Sequence, residues 1–369
     1  MDNRIDRIAK WLHQNELQAA FLTSSANVFY LTGFSCDPHE RLLGVWVFPD
    51  NSSVLVCPLL EIERVKESGW HGEVYAYRDE ENPWLWFKNK FANNVTKESK
   101  VAIEVDHLTY GRSLMLKEIL EISSLVSIDE QIRAMRIHKT NEEIEILRNA
   151  AKLADQAIQY GVDALSVGCT ELDVKNVIEK RLQTSGITKM AFETMVLFGE
   201  RTALPHGVPG DRKLKAGDLV LFDLGVVLDG YCSDITRTVA FESITDIQKE
   251  IYEAVLLANR NAIKALQEKQ VDTFGQVDHI ARSTIEKAGY GSYFTHRLGH
   301  GLGIEAHEYP SVSSDNEQSI PIGSVFTIEP GVYVPESAGV RIEDMVLITD
   351  EGCEVLTTYP KELLVIAKG

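Results

Sequence analysis

The apolar run Leu219-Val220-Leu221-Phe222 ends directly in Asp223, and a second apolar stretch, Val226-Val227-Leu228, is broken by Asp229-Gly230. Asp-Gly between apolar runs is a strong signal for a two-residue hairpin turn. With Asp229 and Gly230 as the turn, residue 228 faces 231, residue 225 faces 234, and Asp223 lies on the face of residue 225. Asp223 and Asp234 then become diagonal neighbours on one face. Their Cα atoms should be roughly 7–8 Å apart, within reach of two metal ions about 3.5–4 Å apart. A slip of one residue in register would separate them. An aspartate at a strand end is ordinarily a turn former or a solvated charge, but one that continues a buried strand needs a partner, and a metal is one candidate.

Three more side chains extend the pattern. His300 lies within Gly299-His300-Gly301-Leu302-Gly303, where glycines would let the backbone approach a cofactor or substrate closely. Glu329 ends the apolar run Val325-Phe326-Thr327-Ile328, and Glu343 follows Val340-Arg341-Ile342. Arg341 and Glu343 share a face by period-two alternation, so Arg341 either orients and neutralises that carboxylate or forms a plain ion pair with it. Asp223, Asp234, His300, Glu329 and Glu343 together offer four carboxylates and one imidazole. Two divalent cations would balance the four negative charges, and this hard ligand set suits Mn²⁺ or Co²⁺ better than a closed, thiolate-rich structural zinc site.

The motifs Asp223-Leu224-Gly225, Ser233-Asp234, Gly299-His300-Gly301, Ile328-Glu329-Pro330-Gly331 and Arg341-Ile342-Glu343-Asp344 resemble those of the pita-bread metallopeptidases: prolidase, aminopeptidase P and methionine aminopeptidase. The resemblance covers roughly residues 130–365, and the preceding segment looks like the N-terminal domain of prolidases and aminopeptidase P. It implies a pseudo-twofold α/β sandwich with helices outside a curved antiparallel sheet. It also implies that Asp223 chelates one metal, that Asp234 and Glu343 bridge both, and that His300 and Glu329 complete the second, the metals being Mn²⁺ with Co²⁺ and Zn²⁺ as alternatives. A hydroxide bridging them would attack the scissile carbonyl, with Glu329 as proton shuttle. His206 and His307 match the family's two non-ligand histidines, which bind substrate and steady the tetrahedral intermediate.

Within that family the resemblance is to a dipeptidase for Xaa-Pro, with an aminopeptidase P for longer Xaa-Pro peptides as the alternative. A dipeptide's free carboxylate calls for a cation, for which arginine's fork is well shaped. Many prolidases carry Arg in a His-Glu-x-Pro-Arg motif, whereas this chain reads His307-Glu308-Tyr309-Pro310-Ser311. Arg297, Arg341, and His39 and Arg41 of the loop Asp37-Pro38-His39-Glu40-Arg41 are the candidate substrate-binding residues in its place. Short bacterial prolidases use such a loop to cover a neighbouring subunit's site, so the resemblance implies a homodimer; the plain alternative is a solvated loop. A metal-free binding module of the same fold is disfavoured because all five ligand positions are filled.

The 369 residues exceed what one hydrophobic core usually organises. Ala19 to Leu22, Gly44 to Phe48, Ser53 to Val56 and Val101 to Val105 read as strands with amphipathic stretches between them, which predicts a small α/β domain over 1–128. The catalytic domain spans 129–369. Its charged lead-in is followed by the capping box Thr140-Asn141-Glu142-Glu143 and a helix whose buried face carries Ile144, Leu147, Ala151, Ala154 and Ile158. A net charge of −18 argues against nucleic acid or an anionic membrane as partner. The five cysteines, scattered at 36, 57, 169, 232 and 353, read as reduced thiols of a cytoplasmic protein, Cys232 included. The N-terminus reads as an amphipathic helix, with Ile5, Ile8 and Leu12 at helical spacing.

Overall fold

The computed structural model describes residues 4–91 and 96–367. Two compact units make up the chain, Met1–Met135 and Arg136–Gly369. Among the described residues, no helix is long and apolar enough to cross a membrane.

The N-terminal unit is built on six strands: β1 (Ala19–Leu22), β2 (Gly44–Val47), β3 (Ser53–Pro58), β4 (Glu73–Tyr77), β5 (Lys100–Ile103) and β6 (Ser124–Ser127), in the order β4-β3-β2-β1-β5-β6. Phe21 stacks on Trp46 at 4.4 Å, and Phe87 meets Trp46 edge-on at 5.1 Å, forming the centre of its core. The four strands expected from alternation are present. β4 and β6 are edge strands whose residues are mostly half-buried, so their hydrophobic pattern is weak. The strand expected to reach Val105 stops at Ile103, because the Glu104 carboxylate turns back to accept from the backbone N–H groups of Thr23 and Ser24, and from Asn27 Nδ2 at 2.5 Å. Those bonds brace the start of the helix Ser25–Thr32.

The C-terminal unit has two halves of similar design, as the resemblance implies. In the first, the helices Asn141–Ala164 and Glu171–Thr184 pack on a sheet of β7 (Met195–Phe198), β8 (Leu219–Leu224) and β11 (Ile235–Phe241), with β19 (Val365–Ile366) at its edge. Thr140 and Glu143 form the capping box, and Leu147, Ala151, Ala154 and Ile158 are fully buried, with Ile144 half-buried. In the second half, the helices Asp246–Gln267 and Phe274–Lys287 share a core with the sheet β13-β12-β14-β17-β18 and the hairpin β15–β16. These strands are β12 (Gly299–Gly301), β13 (Glu308–Val312), β14 (Val325–Ile328), β15 (Gly331–Val334), β16 (Ala338–Arg341), β17 (Asp344–Thr349) and β18 (Gly352–Val355).

The hairpin has the register expected from Asp-Gly. β9 (Val227–Leu228) pairs with β10 (Tyr231–Cys232) through Leu228 and Tyr231, while Leu224 pairs with Ile235 and Asp223 with Thr236. Asp229 and Gly230 both have positive φ, 47° and 83°, as a type I′ turn requires. Asp234 therefore sits two residues before the partner of Asp223, on the same face. Gly225 admits no side chain, since a Cβ there would fall 1.8 Å from the Ser233 carbonyl oxygen. Gly225→Ala should lower the unfolding free energy by about 1–3 kcal/mol, the usual cost of overpacking. Denaturant unfolding checks this, and unchanged stability would contradict the close approach.

Candidate metal centre

The segments bearing the two aspartates, the histidine and the two glutamates converge. Asp223 is near the end of β8, Asp234 immediately precedes β11, His300 is the middle residue of β12, Glu329 follows β14, and Glu343 lies at the bend between β16 and β17. Ligand-type atoms of Asp223, Asp234 and Glu343 lie within 4.8 Å of one another, as do those of His300, Glu329 and Glu343. Glu343 belongs to both groups. A third such group joins Asp234 and His300 to His307. The cavity above these residues has a volume of about 930 Å³ and is walled also by Phe192, Met195, His206, Arg297, Tyr333 and Arg341.

The donor set fits divalent cations. Asp223 Oδ1 and Asp234 Oδ1 are buried with no hydrogen-bond partner among the described residues, an arrangement that is costly for carboxylate oxygens unless a cation meets them. His300 Nδ1 lies 3.1 Å from the Gly301 carbonyl, which can only accept, so Nδ1 carries the proton and Nε2 presents its lone pair. That Nε2 faces Glu329 Oε1 at 3.3 Å and Asp234 Oδ2 at 3.7 Å.

Crowding of like charge away from water governs the electrostatics. Burial, with Glu343 and Asp223 adding to it, holds the Asp234 carboxyl well above the usual range. Burial and the neighbouring carboxylates push Glu343 up to about 8, and Glu329, chiefly through burial, up to about 7. Burial lowers the pKa of His300. His307 stacks edge-on to His300 at 4.1 Å and is lowered to about 4, first by desolvation and then by His300 and Arg297, so it is neutral at pH 7.

Arg341 differs from its sequence-based expectation. Its guanidinium pairs with Asp223 rather than Glu343, and also donates to Tyr333 Oη at 2.8 Å. Alternation places Arg341 and Glu343 on one face correctly, but Thr236 stands between them: its hydroxyl accepts from Arg341 Nε at 3.0 Å and donates to Glu343 Oε2 at 2.7 Å. Thr327 plays a similar part, accepting from the His300 backbone N–H at 3.1 Å and lying 3.3 Å from Glu329 Oε1. Neither threonine carries a sequence signal beyond ordinary strand propensity. The glycines around His300 also serve another purpose than ligand approach: a Cβ on Gly299 would fall 1.9 Å from the Thr327 carbonyl oxygen, and one on Gly301 2.3 Å from that of Tyr309. Neighbouring strands, not a ligand, require them.

His206 and His307 are exposed at the cavity, and Arg297 Nη1 lies 3.4 Å from Ser311 Oγ. Arg41, in the N-terminal unit, forms a two-pronged pair with Asp79 at 2.8 and 2.9 Å, while His39 stands 3.5 Å from Asp37. Cys232 is buried, donates to the Ile304 carbonyl, and has its thiol pushed up to about 12 by burial, in keeping with a packing role.

The profile of metallopeptidase family M24 matches residues 145–350, and that of the creatinase/prolidase N-terminal domain matches residues 4–138. The Bacillus subtilis protein named "Putative dipeptidase YkvY" is 47% identical over 364 residues, which cover 99% of this chain and 100% of that protein. The prolidase from Pyrococcus horikoshii superposes with a TM-score of 0.89 at 36% identity, covering 98% of this chain and 99% of that one. The X-Pro aminopeptidase from Thermotoga maritima does so with a TM-score of 0.84 at 29% identity, covering 95% and 98%.

With divalent ions chelated away, Glu329 and Glu343 stay protonated up to about pH 7 and about pH 8, against an ordinary value of 4.5. The folded state then binds more protons than the unfolded chain across that interval. Stability should be greatest below about pH 4.5 as far as these two groups govern it, and should fall as pH rises toward about 8. Mn²⁺ should therefore raise the melting temperature more at pH 8 than at pH 5. Equal shifts in differential scanning fluorimetry at both pH values would contradict the proposed burden of raised carboxylates.

Proposed function

The chain belongs to metallopeptidase family M24, and on that footing we propose that it is a dinuclear-metal dipeptidase hydrolysing Xaa-Pro dipeptides. Asp223, Asp234 and Glu343 would hold one divalent ion and His300, Glu329, Asp234 and Glu343 the other, with Mn²⁺ first and Co²⁺ or Zn²⁺ as alternatives. The ions, when bound, supply Lewis acidity that polarises the scissile carbonyl and acidifies the attacking water. Glu329 takes a proton from that water and passes it to the proline nitrogen as the C–N bond breaks. His307, neutral and therefore carrying one N–H, donates to the oxygen on which charge develops, and His206, which lines the same cavity, joins it.

Arg297 carries the choice of a dipeptide. Strand pairing sets His300 opposite Ser311, and Arg297 reaches the Ser311 hydroxyl from the segment that leads into β12. Its guanidinium thus comes to the position that lacks the frequent arginine. Arg341 is already paired with Asp223, whereas no carboxylate pairs with Arg297 among the described residues, leaving its charge for a substrate carboxylate. A second copy and the 37–41 loop belong to the same reading: His39, with 70% of its side chain exposed, is better placed to act beyond its own unit than Arg41, which Asp79 holds. Free cysteines support a cytoplasmic setting.

The Mn²⁺-loaded protein should release proline from Leu-Pro and leave Leu-Pro-Pro uncut, with a chelated control inactive. The reverse preference would make it an aminopeptidase P with Ser311 at an open end of the site, and cleavage of neither would favour a binding module. Arg297→Ala should raise KM for Leu-Pro about 10–100-fold, the worth of one charge-assisted hydrogen bond, with kcat little changed. His307→Ala should lower kcat about a hundredfold at an unchanged melting temperature. A loss of stability with normal turnover would assign His307 a structural role instead.

A further inference from the structure

Glu329 and Glu343 each follow an isoleucine whose carbonyl is bonded from the helix Asp246–Gln267. Asn259 of that helix is fully buried, and its Nδ2 donates to both carbonyls, to Ile328 O at 3.1 Å and to Ile342 O at 3.4 Å. The orientation of its amide is settled by chemistry: the other amide atom lies 2.9 Å from Lys361 Nζ, which can only donate, so that atom is the oxygen. Lys361 also donates to Asp344 Oδ2 at 2.7 Å, and Asp344 directly follows Glu343. One side chain therefore ties together the peptide units that precede two glutamates brought from different strands.

We propose that Asn259 is a positioning residue for the metal centre, fixing the separation of Glu329 and Glu343 by clamping the carbonyls of Ile328 and Ile342. The inference rests on the reading of those glutamates as ligands. Its physical basis is that both amide protons are in use and both acceptors are buried, so no water replaces a lost bond without opening the core. The ligands' own outward bonds, Thr236 to Glu343 and Thr327 to Glu329, set each carboxylate's rotation but do not link the two strands to each other. Backbone pairing of the two strands stops at Ile328 and Asp344 and resumes at Gly331 and Arg341, and across the interval that carries both glutamates Asn259 bridges them beside a 3.4 Å bond from the Ile342 N–H to the Pro330 carbonyl. The group of His300, Glu329 and Glu343 depends on both clamped segments, whereas the group of Asp223, Asp234 and Glu343 depends on one.

Mn²⁺ titrated calorimetrically into the chelator-stripped full chain tests this. Asn259→Asp keeps the shape but replaces the double donor with an acceptor, and Asn259→Ser, which keeps a single donor, serves if the aspartate variant does not fold. Either variant should bind Mn²⁺ at least tenfold more weakly than the wild type, the range in which supporting residues act on metal affinity. Wild-type affinity in a folded variant, even with a lower melting temperature of the metal-free protein, would overturn the proposal and leave Asn259 a packing residue. Glu343→Ala is the control: if it too binds as the wild type does, the ligand assignment itself fails rather than the role of Asn259.

Discussion

Four carboxylates converge on one largely buried site, and this concentration of negative charge is the constraint the catalytic unit is built to bear. Unpaired, such groups resist ionisation, as the raised Asp234, Glu329 and Glu343 show. Among the described residues, Arg341 is the cation that pairs with one of them: it takes Asp223 and is in turn oriented by Tyr333 and Thr236. The remaining charge calls for divalent ions, and the two buried carboxylate oxygens without partners are where that requirement is most evident.

Holding the proposed ligands in place is the work of residues around them. Beneath Glu343, Arg237 donates to the Glu343 carbonyl and to Asp344 Oδ1 at 2.7 Å, and Lys361 reaches the other oxygen of Asp344. Two cations thus share one buried carboxylate, which stays charged and keeps the bend between β16 and β17 rigid. On the other side, Glu308, next to His307, is bonded by Arg136 at 3.1 Å, so the loop carrying the exposed histidine is anchored by a buried ion pair. Exposed side chains at the cavity therefore stand on a stiff base, as a site that stabilises a transition state requires.

Much of this was legible in the chain. The turn at Asp229-Gly230 sets a register that places Asp223 and Asp234 together, because only small residues with positive φ close a two-residue hairpin. Glu329 and Glu343 could be singled out because an acidic residue ending an apolar strand is unusual. The supporting contacts were not legible: Thr236 and Glu343 meet across 107 positions, Asn259 and Ile342 across 83, and no local pattern encodes such meetings. Alternation assigned Arg341 to the correct face yet could not say which carboxylate it would meet. The glycines beside His300 show the same limit, since a need for close approach was evident but not what would approach.

Metal content tests the account most directly. Protein incubated with excess Mn²⁺, dialysed and analysed by plasma emission spectrometry should retain two ions per chain, falling to one or none when Asp234 or Glu343, the two residues proposed to bridge, is replaced by alanine. A single retained ion in the wild type, or two ions in both alanine variants, would contradict a centre in which these carboxylates hold a metal pair.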